Sequence, residues 1–206
     1  MTIESWLIFI ALSILPAFSP GPGLLLTLSN SLRFGSRITL WSALGNTIGI
    51  AIMGLMVTFG LAALMAASTT AFFALKIIGG LYLVWLGIKT WRDRSNLIEC
   101  DTHMVHPGQT RLFLTGVGIA LTNPKALAVL LSIIPPFLSH PETIQRDGII
   151  LSLTYAAVCM ISHFAVALLS GRLRVFFTSP RRMRYLRRTL GATFMGFGVA
   201  LAAATR

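Results

Sequence analysis

The chain has 206 residues, 55% of them hydrophobic and 11% charged, with a mean hydropathy of +0.78; water-soluble domains usually carry about 25% charged residues, so a soluble globular protein is excluded. The length holds about six spans of roughly 20 residues and leaves only short connections, with no room for a soluble catalytic domain. Seventeen Lys and Arg stand against six Asp and Glu, and the two cysteines, Cys100 and Cys159, form neither a disulfide framework nor a C-x-x-C redox pair.

Hydropathy and polar punctuation predict spans over residues 3–28, 38–65, 71–91, 112–138, 148–170 and 189–204. Each is expected to be helical, because an isolated apolar run in lipid satisfies its backbone only within itself. The first span has no basic leader, carries Glu4 and runs on past Leu28, so it reads as an uncleaved span and not as a signal peptide. It is interrupted by Ser19-Pro20-Gly21-Pro22-Gly23. Proline in a helix interior costs about 3 kcal/mol, whereas Ser is a favoured cap and Pro a favoured first residue. A new half-helix starting inside the membrane, with Ser19 as its cap, is therefore expected.

The second span contains Gly45-Asn46-Thr47-Ile48-Gly49. Small residues four apart permit close helix approach, and Asn46 and Thr47 add neutral hydrogen-bonding groups within reach of a substrate. The third span carries Gly80 and Gly87 and ends at Trp91, which with Trp6 has the placing of an interfacial aromatic. Gly87-Ile88-Lys89-Thr90 lacks the adjacent Gly-Lys and the strand–loop context of a phosphate-binding loop. Next comes a connection with Cys100, His103 and His106; a structural zinc site normally pairs four ligands, and without a second half this segment reads as solvated. The fourth span is broken at Thr122-Asn123-Pro124-Lys125, with Asn123 as cap and Pro124 as the first residue of a half-helix. The fifth holds His163, the one histidine inside a span. It is a candidate carrier of a coupling proton, or a neutral imidazole bonded to a Ser or Thr of a neighbouring span.

Basic residues set the orientation. Arg33 and Arg37, then Lys89, Arg92, Arg94 and Arg111, then Arg172, Arg174, Arg181, Arg182, Arg184, Arg187 and Arg188 lie in connections on one side, and only Arg146 and Arg206 on the other. By the positive-inside rule that side is cytoplasmic and both termini are periplasmic. The arginines between 172 and 188 then face anionic lipid, and a nucleic-acid partner is not implied.

The spacing of Gly80 and Gly87 returns at Gly191 and Gly198, 111 positions on, and the two proline breaks fall in spans one and four. Three spans make an odd repeat, so the second copy is inserted upside down, as in many secondary transporters. The fold expected is an all-α integral membrane protein of six transmembrane helices in two inverted three-helix repeats, with helices one and four broken. The whole chain forms one transmembrane domain: repeat one about 1–91, a cytoplasmic connection about 92–110, and repeat two about 111–206. Two half-helix N-termini approaching from opposite sides favour an anion such as a carboxylate, and Lys125 adds a full positive charge there. Ser19, Pro20, Gly21, Pro22, Gly23, Asn46, Thr47, Asn123, Pro124 and Lys125 are the candidate substrate-binding residues. The competing reading makes both breaks packing kinks, with Lys125 bonded to freed carbonyls.

The two breaks, the run 76–87 (Lys-Ile-Ile-Gly-Gly-Leu-Tyr-Leu-Val-Trp-Leu-Gly) and the closing stretch 190–198 (Leu-Gly-Ala-Thr-Phe-Met-Gly-Phe-Gly) resemble the lysine-exporter (LysE/RhtB-type) superfamily of bacterial inner-membrane efflux proteins, and more closely its homoserine, threonine and leucine exporter branch. The resemblance implies secondary-active export of amino acids, driven by proton exchange, with no enzyme activity. Some relatives place an acid within span two or five, but here Glu4, Asp93, Glu99, Asp101, Glu142 and Asp147 all fall at termini or in connections. Small neutral amino acids are the expected substrates, because a second positive charge would have no counter-ion in any span. A cation or metal transporter of similar architecture is the alternative, against which stands the need of hard cations for acidic ligands. The expected partners are a small amino acid, protons and membrane lipid, with no cofactor, metal or nucleic acid, and a homodimer is compatible with them.

Overall fold

The computed structural model describes residues 1–92, 108–138, 141–177 and 179–203, and all regular structure among them is helical. In chain order the helices are α1 (Ile3–Phe18), α2 (Pro22–Phe34), α3 (Ser36–Ala67), α4 (Thr69–Arg92), α5 (Gln109–Leu121), α6 (Pro124–Ile133), α7 (Ile144–Leu168), α8 (Ser170–Phe177) and α9 (Pro180–Ala203). Short 3-10 turns occupy Pro135–Phe137 and Pro141–Thr143. The connection with Cys100, His103 and His106 lies outside the described residues.

Helices α3 and α7 are each long and apolar enough to cross a membrane. So, jointly, are α1 with α2 and α5 with α6 and its following turn, and these pairs bend by 58° and 56° at their breaks. The second break has the expected chemistry: Asn123 is the N-cap of α6, its Oδ1 accepts from Lys125 N at 3.1 Å, and Pro124 opens the helix. At the first break the expected cap is corrected. Ser19 ends α1, and α2 begins at Pro22 with Gly21 before it and no side-chain cap. The cause is the second proline. A residue preceding proline is pushed out of the helical region, so Gly21 is extended at φ −154°, ψ 175°, and a helix begun at Pro20 could not pass through it.

The connection between the last two predicted spans contains α8 and the first turns of α9. α9 begins at Pro180, nine residues before the apolar run, so Arg181, Arg182, Arg184, Arg187 and Arg188 occupy its first turns. Arginine is a good helix former and proline suits the first position; hydropathy registers only the apolar part of the helix.

The helices pack with their backbones close together. Antiparallel α4 and α9 touch through glycines: a Cβ on Gly87 would stand 2.6 Å from the Gly191 carbonyl oxygen, and one on Gly198 would strike the Gly80 carbonyl. Parallel α3 and α5 meet at Gly45, Gly49 and Gly116, where a Cβ on Gly49 would lie 2.9 Å from Val117 O. The glycines of the Gly45–Gly49 pair thus do serve close approach. α3 crosses α7 antiparallel, with Thr58 Oγ1 3.0 Å from Ser152 Oγ.

These contacts sort the ends of the bundle. Ser31 of α2 lies 3.0 Å from Ser170 of α8, Gly35 joins α2 to α3, and Arg188 of α9 lies over the Trp91 ring of α4 at 5.7 Å. The basic ends of these elements therefore share one face. At the opposite end the Met1 ammonium pairs with buried Asp147 at 3.0 Å, and Asp147 also accepts from Thr143 and Arg146.

Candidate functional site

Both breaks open onto one cavity in the middle of the bundle. Pro16, Ala17 and Ser19 line it from the end of α1, Gly21, Gly23 and Leu24 from the start of α2, Asn46 and Ile50 from α3, Asn123, Lys125 and Ala126 from the start of α6, and Tyr155, Cys159 and His163 from α7. Its free volume is about 40 Å³. One water needs on the order of 10–15 Å³, and about 150 Å³ holds a benzene-sized molecule; the space among these residues suits water and is too small for an amino acid.

Lys125 stands at the junction of the two broken spans. Its Nζ donates to the Ser19 carbonyl at 2.8 Å and lies 5.9 Å from the centre of the Phe194 ring. The last carbonyls of any helix lack intrahelical partners; here Ser162 Oγ donates to Ala17 O at 2.8 Å and Lys125 takes Ser19 O. The ammonium thus sits favourably at the negative end of α1. It also lies against the start of α2, since a Cβ on Gly21 would be 3.2 Å from Nζ. Of the two half-helix starts, α6 is capped by Asn123 and α2 has no side-chain cap. The positive end left open at the cavity is therefore that of α2.

The candidate residues divide. Ser19, Gly21, Gly23, Asn46, Asn123, Lys125 and His163 come together at the cavity. Pro20, Pro22 and Pro124 shape the breaks without lining it. Thr47 points elsewhere, donating to Met160 Sδ at 3.3 Å, because its side chain leaves α3 about 100° further round than that of Asn46. Asn46 is buried against Gly23, where a Cβ would come within 2.7 Å of its Nδ2, and it reaches Gly116 O at 3.5 Å. His163 lies in the cavity wall, with Nδ1 2.6 Å from Thr27 Oγ1 of α2.

Tyr155 and Cys159 are cavity residues that the sequence analysis passed over. With His163 they stand at four-residue spacing, which on a helix is one face; that spacing, counted back from the histidine, was the available signal. Among the described residues no three of His, Cys, Asp and Glu are grouped as a metal site, and no carboxylate lines the cavity.

A bundle with two bent spans meeting at a central polar cavity is a membrane-transport architecture, and comparison with known proteins defines the class. Residues 14–205 match the family described as LysE type translocator, and the chain belongs to that family. It is a membrane transport protein of an efflux family and not an enzyme. Relatives include a membrane protein of Vibrio cholerae, 35% identical over 205 residues with 99% of each chain covered, and the homoserine/homoserine lactone efflux protein of Salmonella typhimurium, 33% identical over 204 residues with 99% of this chain and 98% of the relative covered. The leucine efflux protein of an Enterobacter strain is 26% identical over 186 residues, covering 89% of this chain and 88% of its own. No solved structure matches the chain.

Proposed function

We propose that this protein exports small neutral amino acids of the homoserine, threonine and leucine class across the bacterial inner membrane in exchange for protons. The observation that carries the reading is the Lys125 ammonium on the Ser19 carbonyl, beside the uncapped start of α2. A zwitterion matches both halves of that arrangement. Its carboxylate suits Lys125 and the first N–H groups of α2, and its ammonium suits the Ser19 carbonyl once Lys125 turns to the carboxylate. With only about 40 Å³ free at the site, substrate entry requires the Lys125–Ser19 contact to open. Pro16, Leu24, Ile50 and Ala126 supply an apolar wall for the side chain. Homoserine and leucine are also the cargoes in the names of two relatives.

The bend angles of the two pairs and the antiparallel packing of α3 on α7 and α4 on α9 support six spans in two inverted repeats within one domain. The clustering of basic residues at one face supports a cytoplasmic assignment for it, with the termini outside. His163, in the cavity wall and bonded to Thr27, is the proton carrier in this scheme. The cation-transporter alternative has no carboxylate at the cavity to rest on.

The test is efflux from proteoliposomes loaded with labelled homoserine, threonine, leucine, lysine or arginine. Neutral amino acids should leave and basic ones should compete poorly, since a second charge near the bilayer centre costs about 2.5–3.5 kcal/mol. Lys125→Ala should abolish efflux in protein that still inserts. Preferred export of lysine or arginine, or wild-type efflux by Lys125→Ala, would defeat the assignment.

A further inference from the structure

The buried face of α2 carries a polar row beside its two leucines, Leu24 and Leu28, from the cavity toward the basic face. Thr27, Asn30 and Ser31 follow Gly23 at helical spacing, and all three are buried. Each meets a polar group across the helix interface. Thr27 Oγ1 lies 2.6 Å from His163 Nδ1, Asn30 Nδ2 donates to Ser42 Oγ at 3.2 Å, and Ser31 Oγ donates to Ala167 O at 2.7 Å beside the Ser170 hydroxyl. Asn46 and Ser42 of α3 and His163, Ala167 and Ser170 of α7 and α8 thus face one seam with α2. It begins in the cavity wall and ends where Gly35 and Arg37 start α3. The 13 residues of α2 rise about 20 Å, more than half of a hydrocarbon core about 30 Å thick.

The other half of the interior is built differently. Beyond the cavity lie Phe9, Met53, Val57, Leu61, Leu130, Ile134 and Leu151, closed by Phe9 edge-on to Phe137 at 5.3 Å. Its buried hydroxyls Ser13 and Ser132 bond to carbonyls of their own helices, Ser132 also to Gly79 O of α4, and Thr58 pairs with Ser152; in the seam Thr27 and Ser42 make the same local bonds and face polar partners on a neighbouring helix besides.

Stability does not account for the contrast. An interhelical polar pair in a membrane averages only about 0.6 kcal/mol. A row of side-chain bonds across a separable interface has a different property: when the helices part, each group exchanges its partner for water at little net cost. α2 is suited to parting, since it is bounded by the Pro20–Gly21 break and by Gly35 at φ +84°. Its buried apolar residues, Leu24 and Leu28, belong to a small cluster with Val166 of α7 and Met183 of α9 that is separate from the main core, so parting from α7 gives up only that minor contact.

We infer that the seam between α2, α3 and α7 is the hydrated route between the cavity and the basic face, opened when α2 moves away from α3 and α7. Thr27, Asn30, Ser31 and Ser42 line that route. The inference depends on transport through the cavity and is indifferent to which amino acid is carried.

Single cysteines at Thr27→Cys, Asn30→Cys and Ser42→Cys should react with a positively charged methanethiosulfonate added from the side that labels Arg182→Cys, each site being read by mass spectrometry so that Cys100 and Cys159 can stay. Val57→Cys and Leu130→Cys should stay unlabelled from that side. Labelling at 57 and 130 with none at 27, 30 and 42, or no labelling at any of the five in protein intact in the membrane, overturns the route. Apolar replacement gives a second reading: Thr27→Val with Asn30→Leu should keep the melting temperature and lose homoserine efflux, and unimpaired efflux overturns the route as well. Should wild-type protein carry no homoserine, the substrate assignment fails and the labelling pattern alone decides the route.

Discussion

Asn46 and Thr47 are adjacent, both polar and both small, and one rotation step of α3 separates their fates. Asn46 lies between Gly23 and the Gly116 carbonyl in the cavity wall, while Thr47 donates to Met160 outside it. Asn46→Leu, similar in size but without the amide, should therefore cut efflux severely, whereas Thr47→Val should leave it close to wild type; initial efflux rates at matched membrane levels decide. Gly23→Ala should behave like the Asn46 variant. Its Cβ would come within 2.7 Å of Asn46 Nδ2, and the amide would have to leave its position. The sequence pattern marks both polar residues because composition and spacing are blind to helical phase. Phase becomes readable only when a second residue fixes it, as His163 does for Cys159 and Tyr155 on α7. Lys125 is the contrasting case. A lysine two residues after a capping asparagine is improbable as filler, and its position in the sequence was enough to single it out.

At the scale of helices, prolines mark the breaks to within two or three residues, and the remaining error is physical. Pro22 forces Gly21 into extended backbone and so moves the start of α2 beyond the expected Ser19 cap. Span ends read from hydropathy differ from helix ends wherever a helix continues beyond its apolar run, as α9 does in starting well before it. The glycine spacing shared by Gly80, Gly87, Gly191 and Gly198 is visible in the sequence; its physical reason is the close contact of α4 and α9 at these glycines. A Cβ on Gly191 would stand 2.7 Å from the Gly87 carbonyl, so Gly191→Leu should force α4 and α9 apart, at a cost of roughly 1–3 kcal/mol for an overpacked interface. Gly196→Ala on the same helix meets nothing within 4 Å and should be neutral or slightly stabilising, since alanine is the better helix former. Melting temperatures in detergent should fall for the first variant alone; an equal fall for both would show that the contact is not specific.

For the whole molecule the governing fact is the sign of charge at its centre. The cavity presents Lys125 and His163 and no carboxylate, and the six acids of the chain include none at the breaks. A zwitterion crossing this centre carries no net charge, so the membrane potential alone does no work on it. Uphill export then needs a coupled ion, and exchange for one proton would move one positive charge inward per cycle. Each pH unit would contribute about 1.4 kcal/mol, a tenfold ratio of substrate, and each 100 mV about 2.3 kcal/mol. Proteoliposomes loaded with a neutral substrate should therefore accumulate it against its gradient when a pH gradient is imposed at zero potential, and also when a potential is imposed at equal pH. Their steady-state ratio should rise about tenfold per pH unit. His163→Ala should remove the uphill component and leave downhill exchange, if the imidazole carries the proton. Accumulation that ignores both gradients would rule out proton exchange without touching the substrate site, whereas uphill transport unchanged in His163→Ala would move the proton to another group of the cavity wall.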